Sequence, residues 1–243
     1  MIFLILPSYN EEKNLIKIFN KINKISKKLN ITVILIDDCS SDKTYLLKNS
    51  KQKFKLIYLR HKKNQGLSIA LETGFKITNK LASKKDIIIT MDSDNTHPVK
   101  LLPKMINRIK KNNFDIIIAS RFLKSSKVNG LSIFREILSL SAKYFFKLFY
   151  PYKDLNEYTC NYRAYKFKLI NLLLKNKFFF KNEDFNIAAK ILLNLINNVK
   201  DLKINEVPLV LNYQYKVGSS KMKIFKNIFL TLKLIFFRKF WFN

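Results

Sequence analysis

Apolar positions along the chain fall into two rhythms. Short, nearly unbroken runs at Ile2–Leu6, Thr32–Ile36, Lys55–Leu59, Asp86–Met91 and Phe114–Ala119 predict strands, and their continuity predicts burial on both faces. Between them, apolar residues return every third or fourth position. Leu15, Ile18, Phe19, Ile22 and Ile25 mark a helix over Leu15–Leu29, and Ser68–Leu81 and Val99–Lys111 keep the same period. Strands separated by helices in this way predict a doubly wound α/β architecture, its sheet parallel or mostly so, with helices on both faces.

The second half changes character. Leu131–Tyr150 has helical spacing but mixes Phe, Leu and Tyr with Arg135, Lys143 and Lys147. A polar segment, Glu157–Tyr165, precedes more helix and a strand at Ile204–Leu211. After Gly218-Ser219-Ser220-Lys221 comes a basic tail in which Lys223, Lys226, Lys233, Arg238 and Lys239 alternate with Phe225, Phe229, Phe236, Phe237, Phe240 and Trp241. That pattern predicts an amphipathic helix lying in a membrane interface; a helix packed on the domain with solvated lysines is the alternative. No run reaches the ~18–20 apolar residues of a spanning helix, and Met1–Leu6 is too short for a signal peptide.

Composition narrows the class further. At 243 residues, 48% hydrophobic and with only 4 Gly and 5 Pro, the chain has material for one α/β core and no room for long low-complexity linkers. Cys39 and Cys160 stand far apart, which argues against a disulfide scaffold and for a reducing compartment. Against 46 Lys+Arg there are 17 Asp+Glu, a net charge of +29. Such an excess favours polyanions: nucleic acid, anionic headgroups or phosphorylated substrates. A Lys-, Asn-, Ile- and Phe-rich coding bias would produce the same excess without function.

Candidate chemistry gathers where a doubly wound sheet binds ligands, beyond the carboxyl ends of its strands. Pro7-Ser8-Tyr9-Asn10-Glu11 follows the first strand, Asp37-Asp38 the second, Asp92-Ser93-Asp94 the fourth, and Arg121 the fifth. Two carboxylates two positions apart suit Mg²⁺ or Mn²⁺, which bind substrate phosphates alongside one or two acids; a turn or cap before Pro98 is the structural alternative. Adjacent Asp37 and Asp38 need donors or a cation, such as ribose hydroxyls and base NH groups, while Ser40-Ser41-Asp42-Lys43-Thr44 could equally cap a helix. Nucleic-acid binding would leave these clustered carboxylates unexplained, because they repel phosphate unless a metal intervenes.

Taken together, Pro7-Ser8-Tyr9-Asn10-Glu11, Ile36-Asp37-Asp38-Cys39-Ser40-Ser41-Asp42-Lys43-Thr44, Asn64-Gln65-Gly66-Leu67 and Asp92-Ser93-Asp94 resemble the family 2 inverting glycosyltransferases of the GT-A fold. Ser120-Arg121-Phe122, Arg135, Glu157-Tyr158-Thr159-Cys160-Asn161-Tyr162-Arg163-Ala164-Tyr165 and Gly218-Ser219-Ser220-Lys221 are similar to later motifs of its dolichol-phosphate (polyprenyl-phosphate) mannosyltransferase-like branch. The resemblance implies a GT-A domain over residues 1–222 and an interfacial tail over 223–243. It implies a nucleotide-sugar donor held by Pro7, Tyr9, Glu11, Asp37, Asp38 and Asp92. Asp94 would be the principal ligand of Mg²⁺ or Mn²⁺, with Asp92 and Thr96 beside it. Arg121, Arg135, Lys216 and Lys221 would meet a lipid-phosphate acceptor.

Three positions depart from the branch pattern. Thr96 stands where Gln is common, Asn161 where Gly is common, and Tyr215, with Lys216 beside it, where an arginine precedes the final Gly-x-Ser-Lys. No general base is evident: His97 reads as structural, leaving Glu157, Glu183 and Asp184 for a hydroxyl acceptor, whereas a lipid phosphate needs none. The expectation is inverting transfer from a UDP- or GDP-sugar to polyprenyl phosphate on the cytoplasmic face of a membrane, with lipid translocation left to a separate membrane-embedded protein. A saccharide or other hydroxyl acceptor is the alternative.

Overall fold

The computed structural model describes residues 1–175, 180, 186–215, 228–232 and 234. Seven strands form one sheet in the order β3-β2-β1-β4-β7-β5-β8. They are β1 (Ile2–Ser8), β2 (Ile31–Asp37), β3 (Lys55–Arg60), β4 (Ile87–Thr90), β5 (Ile116–Ser120), β7 (Arg163–Lys166) and β8 (Ile204–Pro208). All neighbours run parallel except β7, which pairs antiparallel with both β4 and β5. A second sheet of two short parallel strands, β6 (Lys127–Asn129) and β9 (Val210–Asn212), lies apart from it. The mostly parallel expectation therefore holds, with one reversal in the middle of the sheet.

The β1, β2, β4 and β5 strands are buried at every position, as their unbroken apolar runs require. One core layer gathers Phe3, Ile5, Ile34, Ile36 and Ile88 against Leu71 and Phe75 of α2 (Leu67–Leu81). The other sets Leu4, Leu6, Val33 and Ile89 against Leu15, Ile18 and Phe19 of α1 (Glu12–Ser26) and Met105 and Ile109 of α3 (Leu102–Asn112). Gly74 brings α2 so close to β1 that a Cβ there would stand 2.5 Å from Ile5 Cγ2. α5 (Lys168–Lys175) and α6 (Ile187–Asn198) complete the first layer.

α4 (Ile133–Phe149) behaves differently: Phe146 is its one fully buried residue. The strand expected over Ile204–Leu211 is two strands belonging to two sheets, because the chain changes sheets at Leu209, whose amide donates to Ser120 O at 2.9 Å. Of the tail, residues 228–232 are helical, and Leu234 is buried with its carbonyl accepting from the Tyr150 hydroxyl at 3.1 Å. The rest of the interfacial-helix expectation lies outside the described residues.

Candidate active site

The turn after β1 is knotted to the loop after β2. Asn10, at φ 54°, donates its amide to Ser40 Oγ at 2.9 Å, and its side-chain oxygen accepts from the Ser41 amide at 2.7 Å. Asp42 accepts from the Glu12 amide at 3.0 Å and the Thr44 amide at 2.9 Å, so one carboxylate caps both α1 and the short 3-10 helix Lys43–Asn49. Tyr9 is exposed beside this knot, Pro7 is buried, and Glu11 is buried at the start of α1, taking a 2.6 Å hydrogen bond from Asn14.

Asp37 and Asp38 are sealed. Asp37 Oδ1 accepts from the Ser40 amide at 2.8 Å and Oδ2 from the Tyr58 hydroxyl at 2.6 Å, with Arg60 Nε at 3.8 Å. Asp38 takes the amides of Gln65 and Gly66 at 2.9 and 2.7 Å and faces His61 Nδ1 at 2.7 Å. Gly66, at φ 87°, is the left-handed position that lets the chain present both amides to one carboxylate before entering α2. The donors these two acids require come from the protein's own backbone and side chains rather than from an open cleft.

At the exit of β4 the acids are open. Asp92 and Asp94 are both half-exposed and line one cavity of about 580 Å³. Asn95, at φ 63°, bends the chain, and Asp94 Oδ1 accepts from the Thr96 amide at 3.1 Å and its hydroxyl at 2.7 Å. Ser93 turns the other way and ties the loop to β1 through Pro7 O at 2.7 Å. Asn161 donates to Asp92 Oδ1 at 3.1 Å, which gives the residue standing in place of Gly a contact of its own.

Behind Asp92 lies His97, buried and stacked on Tyr162. Burial would lower its pKa, but the Asp92 charge, helped by Cys160 and Asp94, raises it to about 9. Nδ1 stands 3.3 Å from the Asp92 amide and 3.9 Å from Oδ2. The Asp92 amide donates to this nitrogen, and the carboxylate, beyond hydrogen-bond range, acts on the ring through its charge.

Arg121 follows β5 as expected and lines the same cavity, its guanidinium paired with a carboxylate. Its Nε and Nη2 meet Glu157 Oε2 and Oε1, each at 2.8 Å, and Nη2 also donates to Thr159 Oγ1 at 2.6 Å. Glu157 is fully buried and accepts further from the amides of Thr159 and Cys160. Burial alone would raise its pKa; the Arg121 charge and these hydrogen bonds outweigh that and hold it near 2. It is thus an anchor rather than a base. Glu206, which no sequence motif singles out, accepts from the amides of Asn156 and Glu157 at 2.8 and 2.5 Å and so fixes the whole segment.

The cavity has two characters. Asp92, Asp94, Thr96, Arg121 and Asn161 form its polar end. Leu138, Ala142 and Phe145 of α4, with Ile228 and Leu232, make an apolar flank, and Arg135 reaches into it from the first turn of α4. Lys216, Lys221, Glu183 and Asp184 lie outside the described residues.

A family model described as Glycosyl transferase family 2 matches residues 3–174, a span containing the exits of β1, β2, β4 and β5. The chain belongs to glycosyl transferase family 2. It is 30% identical over 235 residues to a dolichol-phosphate mannosyltransferase of Pyrococcus furiosus, covering 96% of this chain and 62% of that protein. It is 26% identical over 158 residues to a UDP-N-acetylglucosamine–dolichyl-phosphate N-acetylglucosaminyltransferase of Methanococcus voltae, 59% of this chain and 61% of that one. The chain thus spans less than two thirds of the length of either relative. Glucosyl-3-phosphoglycerate synthase of Mycobacterium tuberculosis, crystallised with Mn²⁺, UDP-glucose and phosphoglyceric acid, shares the fold at a TM-score of 0.66 and 14% identity over 96% of this chain and 79% of its own. That likeness establishes the GT-A architecture.

The divalent metal expected of a family 2 chain fits the residues present. Asp92 and Asp94 offer hard oxygen donors on one cavity wall, and among the described residues no cluster of three or more His, Cys, Asp and Glu forms a closed cage. Two carboxylates with open positions suit Mg²⁺ or Mn²⁺ completed by water and phosphate oxygens better than a structural zinc. Thr96 buttresses Asp94 through its hydroxyl hydrogen bond.

Proposed function

We propose that this family 2 chain moves a sugar from a UDP- or GDP-sugar onto a polyprenyl or dolichyl phosphate, with inversion, at the cytoplasmic face of a membrane. The carrying observation is the cavity itself: half-open carboxylates at one end and an apolar flank bearing Arg135 at the other. An acceptor that is anionic at its reactive end and hydrocarbon behind matches both ends at once. The names of the Pyrococcus and Methanococcus relatives support the same acceptor class.

The chemistry follows from that arrangement. Asp92 and Asp94 would hold Mg²⁺ or Mn²⁺, which supplies neutralisation of the departing diphosphate. Asn161 orients the Asp92 carboxylate and His97 accepts from its backbone amide, while Thr96 orients Asp94. Arg135 receives the acceptor phosphate, for which a planar guanidinium gives paired hydrogen bonds. Arg121, locked on Glu157, forms a rigid wall beside it and orders the 157–161 segment. Asp92 and Asp94 are the only carboxylates among the described residues lining the cavity, and Glu157 is already committed. A phosphate acceptor needs no proton removed, so positioning and charge suffice. Pro7, Tyr9, Glu11 and the knotted turns after β1 and β2 border the donor nucleotide. Lys216 and Lys221 are assigned to the acceptor phosphate, and the tail to an anionic membrane surface. Moving the glycolipid across the bilayer falls to another, membrane-embedded protein; nucleic acid is no partner.

The test is transfer from a panel of UDP- and GDP-sugars to polyprenyl phosphate in anionic vesicles, with Mn²⁺, Mg²⁺ or chelator. Metal-dependent glycolipid that disappears in Asp94→Ala supports the reading. Donor binding without lipid product would move the acceptor to a hydroxyl compound, and no donor binding at all would sink the proposal.

A further inference from the structure

α4 carries two opposed faces. Arg135, Leu138, Ser139 and Ala142 look into the cavity, and Phe146 is buried beneath them. On the other side Ile133, Ile137, Leu140, Tyr144 and Leu148 recur at three- and four-residue spacing, which aligns them in one stripe. All five are exposed, Ile133 by 77%, Ile137 by 58% and Leu148 by 72%. Phe134 widens the stripe and is exposed as well. A soluble helix ordinarily turns its apolar stripe inward and its charges outward; α4 shows a second apolar stripe to solvent. In residues 228–232, which flank the same cavity, Phe229 is exposed by 67%.

Charge decides what covers this stripe. Lys143 and Lys147 follow one edge of it, with Lys143 lying over the Phe122 and Tyr144 rings at 5.0 and 5.4 Å. Exposed Lys124 and Lys127 stand on the segment just before the helix. One acid, Glu136, answers them on α4, and the chain as a whole carries +29. An apolar stripe bordered by lysines matches an acyl–headgroup boundary with anionic lipids. A second copy of the chain would bring the same lysines and the same net charge against them.

We propose that the outward face of α4 is the surface by which this protein lies in an anionic bilayer, its apolar stripe sunk to the depth of the upper acyl chains. The same helix then forms the cavity wall, so docking sets the apolar flank of the site directly at the lipid boundary. This rests on the proposed lipid-phosphate acceptor for its purpose, but not for its test. A lipid acceptor would slide in along α4 without its isoprenoid chain crossing water.

The experiment is flotation of the full chain with vesicles of phosphatidylcholine alone or mixed with phosphatidylglycerol, with no donor or acceptor present. Wild type is expected to bind the mixed vesicles. Ile137→Glu combined with Leu148→Glu is expected to weaken partitioning at least about tenfold, because apolar area and charge attraction are lost together. Both sites are exposed, so an unchanged melting temperature and circular dichroism spectrum are expected and keep the comparison interpretable. A second variant, Tyr144→Ser with Leu140→Ser, removes apolar area without adding acid and is expected to weaken binding by less. Equal binding by wild type and both variants would overturn the proposal and leave the tail as the anchor. So would failure of wild type to bind either vesicle, or a wild-type dimer in light scattering that the double Glu variant abolishes. A chain that floats as expected yet transfers no sugar would refute the enzymatic reading alone.

Discussion

Two pairs of aspartates leave two neighbouring parts of one sheet, and they do opposite work. At the end of β2, Asp37 and Asp38 are buried and saturated by amides, Tyr58 and His61. At the end of β4, Asp92 and Asp94 are half-exposed and share a cavity. The path of the chain beyond each pair makes the difference. After Asp38 the chain returns with Gln65 and Gly66 to supply donors; after Asp94 it bends at Asn95 and leaves the carboxylates facing space. Acids at strand exits are therefore not one class. Those the fold buries hold loops in place, and those that line a cavity are available to a cation.

Substitutions should separate the two classes. The largest effect on stability is expected from Glu157→Ala, a third carboxylate of the saturated kind. It leaves the half-buried Arg121 without its carboxylate and empties a fully buried site, at a cost of about 3 kcal/mol in chemical denaturation. Acid titration refines this. The Glu157 carboxyl is held near 2, below its unfolded value of 4.5. Its contribution is therefore complete above the unfolded value and is lost as pH falls through the folded one. Glu157→Gln should be less stable at neutral pH and show a flatter stability curve below about pH 4.5. A variant as acid-sensitive as wild type would remove Glu157 from the explanation.

Next comes Asp94→Ala. Transfer should fall by about 100-fold or more, with no loss of melting temperature, since the site's charge stabilisation is removed and no core contact is. Asp38→Ala should do the converse. The amides of Gln65 and Gly66 lose their acceptor, costing about 1–3 kcal/mol of stability, while metal affinity stays unchanged in isothermal titration with Mn²⁺. If Asp38→Ala abolished metal or donor binding without destabilising the fold, the division between the pairs would collapse. The smallest effect belongs to Thr96→Val, which removes one hydroxyl hydrogen bond from Asp94. It should raise the Mn²⁺ dissociation constant by about tenfold at most and leave the donor preference intact.

Much of the first half was legible because its strands are unbroken apolar runs and its helices keep strict period. β7 was not: Arg163-Ala164-Tyr165-Lys166 looks like a polar motif, and only the structure shows Arg163 fully buried, its guanidinium on the carbonyls of Ala188 and Tyr158. The same holds for the acids. A carboxylate that faces a ligand and one that faces backbone amides read identically in sequence, because amide donors belong to no residue type. Asp38 and Asp94 look alike in sequence for that reason, and Glu157 looks like a possible base. Arg135 was legible as a candidate, yet the outward stripe of α4 was not, since helical spacing alone does not say which apolar stripe faces the core.

The reversed strand also has a consequence for synthesis. β4 and β5 are separated in the sheet by β7, and β8 lies beyond β5. A nascent chain can zip β1 through β4 once residue 90 is clear of the ribosome, but β5 then has no neighbour to pair with. Until residues 163–166 emerge, β4 keeps an open edge, a template for another chain's strand. The segment from 157 to 161, which orders the cavity, arrives immediately ahead of the strand that closes that gap. Fragments ending before residue 163 should consequently aggregate.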